Sequence, residues 1–282
     1  MSHASIIPGD SALYQSLRRE ALARRCLVFA GLPGTGKSLL TQQTALIARA
    51  AGRAVRLLQW DVARAAFESP AILARYPEID GVTHPVIRKA AGLWARQAAA
   101  RWMQQAGATS ALLIIEAPLI GGRLIELAQP AQDDAETLLA SDAALFILPV
   151  PSIEVKAALR ARRGSDMQTH SGGAEQFNAP VHLLDAHVRD ISEAAALLGM
   201  TQSVSAGYDA ALYARVYLHA LRHRRSLRLD IGQLFEVSGS VYGHAEGVKD
   251  LLPEPDDVAA AYQDAERIEP AALSQQMAGW FR

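Results

Sequence analysis

The sequence predicts an α/β protein in which helices cover both faces of a parallel β-sheet. Short apolar runs alternate along the chain with longer segments rich in helix-forming residues, an order typical of parallel strands joined by helices. The most apolar run, ALLII at residues 111–115, is typical of a strand buried on both faces. Hydrophobic residues make up 50% of the 282, enough for a sizeable core. We therefore expect a single domain over residues 1–282.

The predicted elements of the first half begin with one helix and then alternate between strand and helix. They are a helix at 11–24 capped by Asp10 or Ser11, a strand at 26–30, a helix at 39–51, a strand at 54–59, helical segments at 62–75 and 86–106, and a strand at 111–115 that ends in Glu116.

The second half is predicted to add further strands, a lid and a helical extension. After a polar stretch at 129–136, the elements are a strand at 143–149, a helix from Ser152 to Arg162 or Arg163, helices at 180–198 and 208–223, a strand at 225–231, and helix again from 253. The polar, Gly- and Ser-bearing residues 164–178 suit a mobile lid, which we place at 160–178. Residues 180–282 form the helical extension, with one sheet strand near 226–231.

Residues 31–38 read GLPGTGKS and fit the pattern G-x-x-x-x-G-K-[ST] at every fixed position. A predicted strand precedes them and a predicted helix follows, which is the context this phosphate-binding motif (Walker A) requires. Glycines let successive N–H groups point inward at the positive end of the helix. We expect Lys37 to reach the outer phosphates of a nucleotide and Ser38 to bind Mg²⁺. The expected nucleotide-binding residues are Gly31, Pro33, Gly34, Thr35, Gly36, Lys37, Ser38 and Leu39.

Two acidic residues follow predicted strands, where a doubly wound sheet gathers its ligands. Glu116 ends the most apolar strand, and a carboxylate there is costly unless it binds a metal, water or a cation. We expect it to hold Mg²⁺ with Ser38; the alternative is an acid that begins a solvated loop. Asp61 would take the proton of an acceptor hydroxyl as a general base, or else cap the helix before Val62.

Basic residues mark two further candidate regions. Arg160, Arg162 and Arg163 precede the predicted lid, where guanidinium groups would stabilise a transferring phosphoryl group or, alternatively, complement a helix C-terminus. Side chains that could line an acceptor pocket are Arg64, Glu68, Tyr76, His84, Arg88 and Trp94, together with Arg123. Each is also compatible with an ordinary surface or core position. Arg88 and Arg123 would bind an anion if the acceptor is itself phosphorylated.

Taken together, GLPGTGKS, the acid after the second strand, LLIIEAPL and FILPVPSIEVKAALRARR resemble the P-loop kinases of small metabolites and nucleosides. The resemblance covers about residues 26–178 and the strand near 226–231. It implies a three-layer P-loop NTPase-type sheet and transfer of the γ-phosphoryl group of Mg-ATP to a small-molecule acceptor. The acceptor would bind between the second and third strands.

The resemblance also implies roles for particular residues. Asp61 matches the acid on the acceptor side, Glu116 the acid that ends the third strand, and Arg160 with Arg163 the lid arginines. Lys37, Asp61 and these two arginines are then the expected catalytic residues. Asp61, Arg64, Arg88, Glu116 and Arg123 are the expected acceptor-binding residues. Glu116 departs from the aspartate more usual at this position.

Composition bears on partners and compartment. With 28 basic and 29 acidic residues the net charge is −1, which gives no reason to expect nucleic acid or a membrane as partner. The single cysteine, Cys26, allows no disulfide framework, and no apolar run or signal pattern predicts membrane insertion or export. We expect a cytoplasmic setting, and a homodimer is one assembly state that we consider.

Two other functions compete with a kinase. A regulatory ATPase or switch protein would couple hydrolysis to a partner contact, but such proteins usually carry an hhhhD[DE] strand, and none is evident. A degenerate module would keep nucleotide without catalysis, which the intact Lys37 and Ser38 disfavour. The guanine-reading pattern N/T-K-x-D of GTPases does not occur.

Overall fold

The computed structural model describes residues 5–79, 81–107, 109–169, 181–205, 207–235 and 247–282, with the backbone alone at 163–169 and 181. Its strands are β1 (Cys26–Ala30), β2 (Val55–Gln59), β3 (Leu112–Ala117), β4 (Ala144–Pro151), β5 (Ser226–Ile231) and β6 (Val248–Asp250). They form a 6-stranded sheet in the order β5-β4-β1-β3-β2-β6. Every pair of neighbours runs parallel. The prediction of an α/β fold with a parallel sheet is therefore confirmed.

Helices pack on both faces of the sheet. They are α1 (Ala12–Ala23), α2 (Lys37–Ala50), α3 (Trp60–Phe67), α4 (Pro70–Arg75), α5 (Pro85–Ala106), α6 (Asp134–Leu139), α7 (Ile153–Thr169), α8 (Val181–Leu197), α9 (Ala210–Ala220), α10 (Pro255–Glu266) and α11 (Pro270–Ala278). Because side chains alternate along a strand, Leu27 and Phe29 of β1 face a core with α1 and α2. Cys26 and Val28 face the opposite core, which α5 and α9 to α11 complete.

Three element predictions differ from the structure. The helical segment predicted at 62–75 is divided into α3 and α4, because the Ser69 hydroxyl accepts from the Ile72 N–H and Pro70 follows at the first helical position. The polar stretch 129–136 contains the start of α6, capped by Asp133. Strand β6 was missed because three residues at a sheet edge are too short to display alternation.

The predicted lid begins inside a helix. Ser152 opens α7 as predicted, its hydroxyl accepting from the Val155 N–H, but the helix continues to Thr169. Residues 160–169 are thus helical and not a loop, while residues 170–178 of the predicted lid lie outside the described residues. Arg160 stands in the body of α7, so the alternative that it complements a helix C-terminus is wrong. Within the ranges given above, no helix is long and apolar enough to cross a membrane.

A buried ionic network fastens the segment after β3 to helices on either side. Arg224, which follows α9, donates to the Glu136 carboxylate at 2.6 Å and to the Leu127 carbonyl oxygen at 2.8 Å. Arg96 of α5 donates to the other Glu136 oxygen at 2.8 Å and to Asp133. The hydrogen bond from Arg224 holds the pKa of Glu136 at about 2, below the 4.5 of a free glutamate. Glu136 therefore stabilises the fold as an anion.

We predict that Glu136→Gln lowers the free energy of unfolding at pH 7 by about 3 kcal/mol, because Arg224 then stays buried without a counter-charge. The lowered pKa of Glu136 makes its contribution complete above the unfolded-state value of 4.5 and lost as pH falls toward about 2. Urea unfolding from pH 7 to pH 3 should therefore show a shallower acid loss in the variant. Glu193→Gln on the exposed face of α8 is the control; equal acid slopes for wild type and Glu136→Gln would contradict the assignment.

Candidate functional site

The loop at residues 31–38, named the phosphate loop after its predicted role, joins the end of β1 to α2 at the centre of the sheet. The Gly31 N–H donates to the Ala117 carbonyl oxygen at 3.2 Å, which fixes the loop to the end of β3. Gly34 and Gly36 have φ of 69° and 86°, a backbone region in which residues with a side chain are strained. Gly36 is the N-cap of α2 and no side chain caps this helix end. A helix N-terminus without a side-chain cap is a favourable place for an anion.

Lys37 and Ser38 converge on Glu116. The Ser38 hydroxyl donates to the Glu116 carboxylate at 3.0 Å, and the Lys37 ammonium lies 3.8 Å from the same oxygen. Lys37 also donates to the Leu32 carbonyl oxygen at 3.0 Å, and Gln59 donates to the second Glu116 oxygen at 3.2 Å. The Glu116 side chain is 7% exposed. The alternative that Glu116 merely begins a solvated loop is therefore wrong.

The oxygen atoms around Glu116 fit a magnesium ion of the kind that accompanies a nucleotide. Mg²⁺ prefers hydroxyl, carboxylate, phosphate and water oxygens and keeps several waters. Ser38 and Glu116 offer a hydroxyl and a carboxylate, and the amide oxygen of Gln59 is buried without a hydrogen-bond partner. In the part of the chain that the structure describes, no cluster of three or more His, Cys, Asp or Glu side chains could hold a metal. A metal here would thus depend on phosphate and water for its remaining ligands.

The sequence interpretation missed Tyr213, which brings α9 onto the phosphate loop. The Leu32 N–H donates to the Tyr213 hydroxyl at 3.4 Å, and this hydroxyl donates to the Pro149 carbonyl oxygen at 3.2 Å. A Cβ at Gly31 would lie 2.5 Å from the Tyr213 oxygen. Gly31 is therefore needed for close approach. Burial raises the pKa of Tyr213, which keeps the hydroxyl protonated.

Lys156 of α7 is a second residue that the sequence interpretation missed. Its ammonium donates to the carbonyl oxygens of Pro33 and Gly34, at 3.0 and 3.1 Å. The residue is 6% exposed, so its charge is held against the loop. Its only signal in the sequence is a lysine in the first turns of the helix after β4. The phosphate loop therefore carries a second ammonium beside that of Lys37.

The predicted lid arginines have different outcomes. The Arg160 guanidinium forms two hydrogen bonds with Asp185 of α8, at 2.8 and 2.6 Å, and its side chain is 50% exposed. This pair joins α7 to α8 at the surface, so a role for Arg160 in catalysis stays a prediction. The side chain of Arg163 lies outside the described residues, and its predicted role is untested.

On the acceptor side, Asp61 lies in the first turn of α3. This helix begins at Trp60 with Gln59 as its N-cap, so the alternative that Asp61 is the cap is wrong. The negative charge of Asp61 acts on Arg123, whose pKa it raises against the larger lowering by burial. Arg64 contacts Glu68 at 2.9 Å and Glu78 at 3.3 Å. These carboxylates hold the Arg64 guanidinium along α3.

Arg88 and Arg123 come together at Gly121. A Cβ at Gly121 would lie 3.0 Å from a guanidinium nitrogen of each arginine. Arg88 donates to the Gly121 carbonyl oxygen, and Arg123 donates to that of Ile120 at 3.1 Å. Each side chain is 8% exposed. The structure thus joins two of the expected acceptor-binding residues.

A histidine and an aspartate on α8 face the same region, and the sequence analysis did not single them out. His187 and Asp190 are 3.1 Å apart, and both interact electrostatically with Arg123. Burial lowers the pKa of His187, the hydrogen bond with Asp190 opposes that shift, and the charges of Arg123 and Lys156 add to it. Helix α8 thereby adds ionisable groups to the space between the phosphate loop and Arg123.

Comparisons with known proteins add no relative: no family model, no curated protein and no solved structure matches the chain.

We predict a coupling between Gly31 and Tyr213. Gly31→Ala should lower the free energy of unfolding by about 1–3 kcal/mol, because its methyl group collides with the Tyr213 hydroxyl. Tyr213→Phe removes the oxygen and makes room, so the double variant should be more stable than the sum of the single effects predicts. Urea unfolding of the four proteins measures the coupling. Strictly additive effects would contradict the close contact.

Proposed function

We propose that the protein is an ATP-dependent phosphotransferase that moves the γ-phosphoryl group of Mg-ATP to a small-molecule acceptor. One observation carries the proposal: Lys37 and Ser38 meet the buried Glu116 carboxylate beneath the uncapped N-terminus of α2. A nucleoside triphosphate requires backbone N–H donors, a cation and a pair of metal-binding oxygen atoms at one point.

Each side chain has a defined task in this reaction. The acceptor hydroxyl oxygen forms a bond to the γ-phosphorus, the bond from that phosphorus to the β,γ-bridging oxygen breaks, and ADP leaves with the electron pair. Asp61 takes the hydroxyl proton, and the Lys37 ammonium stabilises charge on the phosphoryl oxygens. Ser38 and Glu116 would hold Mg²⁺, which would supply charge neutralisation at the phosphates.

The position of Asp61 favours a kinase over a simple hydrolase. β2 and β3 are neighbours, and Gln59 is the register partner of Glu116 across them. Asp61 follows Gln59 by two residues, so the proposed base and the proposed metal ligand share one edge of the sheet. In this proposal, residues of α3 to α5, which follow β2 along the chain, line the acceptor site. A regulatory ATPase would need no such acid beside a second binding region.

We predict that ADP release from Mg-ATP depends on an added acceptor and is lost with Lys37→Ala. Pools of small metabolites and nucleosides should include a fraction that stimulates turnover by the wild type. Lys37→Ala should reduce this turnover about 100-fold or more, because the charge that stabilises the transferring group is gone. The control is Lys249→Ala, which removes an exposed lysine on β6.

Steady hydrolysis that no fraction changes would overturn the kinase proposal and favour a regulatory ATPase. Absence of any nucleotide-dependent turnover, together with failure of Mg-ATP to raise the unfolding temperature of the wild type, would overturn both. Retention of full turnover by Lys37→Ala would mean that the loop is not the phosphate site.

We also predict that Asp61→Asn lowers acceptor-dependent kcat by about 100- to 10,000-fold, as expected for loss of a general base. Its effect on the KM for ATP should be small, because Asp61 lies on the acceptor side. Steady-state kinetics with the stimulating fraction measures both values. Asp264→Asn, an exposed carboxylate of α10, is the control; an Asp61→Asn enzyme with unchanged kcat would exclude Asp61 as the base.

A further inference from the structure

Arg88 and Arg123 form a buried pair of cations. The two guanidinium groups meet over Gly121, in the loop that follows Glu116. Arg88 comes from the first turns of α5 and Arg123 from the loop itself, so distant parts of the chain deliver two cations to one place. Like charges at such proximity repel each other, and burial increases the cost.

Neither arginine has a carboxylate partner within the described residues. The hydrogen bonds of both run to backbone carbonyl oxygens, and the Nε of Arg88 is buried with no acceptor at all. Burial and the neighbouring Arg123 lower the pKa of Arg88 to about 10. Burial, then the charge of Arg64, lowers the pKa of Arg123, although Asp61, Tyr217 and Asp190 oppose that shift. The carboxylates nearby therefore act at a distance without neutralising the pair.

Other buried arginines of this protein show how it satisfies a structural guanidinium. Arg96 donates to two carboxylates and two carbonyl oxygens, and its hydrogen bond to Asp133 is the largest effect that raises its pKa against burial. Arg224 is bound in the same manner by Glu136 and backbone oxygens. Arg88 and Arg123 lack this arrangement. Their counter-charge is missing from the described chain, which is typical of cations that await a ligand.

The loop that carries Arg123 is held rigidly. Leu119 and Leu124 have φ of 61° and 58°, which is strained for residues with a side chain. The Tyr217 hydroxyl donates to the Pro118 carbonyl oxygen at 2.7 Å. A Cβ at Gly122 would lie 2.2 Å from the sulfur of Met277, so α11 presses directly on the loop. Strain that surrounding contacts maintain is characteristic of functional loops.

We propose that the acceptor is itself an anion, whose carboxylate or phosphate group binds between Arg88 and Arg123 while its hydroxyl lies toward Asp61. The inference rests on the proposed kinase function and specifies the acceptor class. Two guanidinium groups offer planar, multiple donors to one oxyanion, which fixes orientation as well as affinity. Asp61 and Asp190, whose charges act on Arg123, repel a second anionic group.

The first test measures anion binding without turnover. Inorganic phosphate and, separately, malonate are titrated in the absence of nucleotide, with the unfolding temperature as readout. Malonate should stabilise the wild type and Lys37→Ala alike, because the arginine pair is separate from the phosphate loop, whereas phosphate should also bind the loop and stabilise Lys37→Ala less. Arg88→Gln and Arg123→Gln should lose the effect of malonate and keep only the share of the phosphate effect that depends on Lys37. Arg101→Gln, which removes an arginine of α5 that already pairs with Asp257, is the matched control.

Stability in the absence of ligand separates a binding role from a structural one. Arg88→Met removes a buried charge that has no counter-ion, so its free energy of unfolding should equal or exceed that of the wild type. Arg96→Met should be strongly destabilised, because it leaves carboxylates unpaired. Destabilisation of Arg88→Met as large as that of Arg96→Met would overturn the proposal and make Arg88 structural.

The second test uses acceptors in matched pairs. Hydroxy acids are compared with the corresponding polyols, and sugar phosphates and nucleoside monophosphates with the neutral sugars and nucleosides. Only the anionic members should support turnover. Comparison of the hydroxy acids with the phosphate esters shows whether the acceptor carries a carboxylate or a phosphate. Arg88→Gln should raise the KM for the acceptor about 30-fold or more, with a smaller effect on kcat.

The outcomes distinguish this inference from the proposed function. Turnover with neutral acceptors that Arg88→Gln leaves unchanged would overturn the inference while the kinase stands. Anion stabilisation that Arg88→Gln abolishes, with no acceptor-dependent turnover, would uphold the anion site while the kinase fails. Anion stabilisation that Lys37→Ala alone abolishes would assign the binding to the phosphate loop and overturn the inference.

Discussion

Contacts to the buried Glu116 carboxylate organise the candidate site. β3 lies between β1 and β2, and the register places Glu116 beside Phe29 on one side and Gln59 on the other. Lys37 and Ser38 reach this carboxylate from α2, so one group joins the phosphate loop to the acceptor side. A buried carboxylate needs such donors, because desolvation would otherwise make its charge costly. The position of the phosphate loop thus depends on the end of β3.

The C-terminal third packs against the loops of the candidate site. Tyr213 of α9 contacts the phosphate loop, Tyr217 one turn later bonds the Pro118 carbonyl oxygen, and Met277 of α11 packs on Gly122. The three aromatic and apolar side chains hold the loops after β1 and β3 in place from one direction. Tyr262 of α10 likewise donates to the Phe67 carbonyl oxygen, which supports the end of α3. Loop geometry near the sheet edge therefore depends on residues far away in sequence.

Buried arginines occur in two kinds of environment in this fold. Arg96 and Arg224 share Glu136 and several carbonyl oxygens, and this network stabilises the segment after β3. Arg123 belongs to this segment and Arg88 bonds to it, but both arginines have only carbonyl partners among the described residues. The first pair holds the scaffold and the second makes the local potential positive. Burial of these two charges lowers the free energy of unfolding, and such a loss of stability is expected at a binding site.

The sequence by itself determined the α/β class, the order of most strands and helices, and the position of the loop at residues 31–38 between a strand and a helix, because apolar periodicity and a contiguous motif are local properties. It also indicated Glu116 and Arg123, at the end of the third strand and after it, and Arg88, between the second and third strands, where a parallel sheet gathers its ligands. Only the tertiary structure decided that Glu116 is buried against Ser38, that α7 continues past Arg160, and that the two arginines share one place without a carboxylate partner among the residues it describes. Tyr213 and Lys156 escaped prediction for the same reason. Their partners lie in the loop at residues 31–38 and in β4, far away in sequence, and the choice of partner depends on tertiary packing, which no local pattern records.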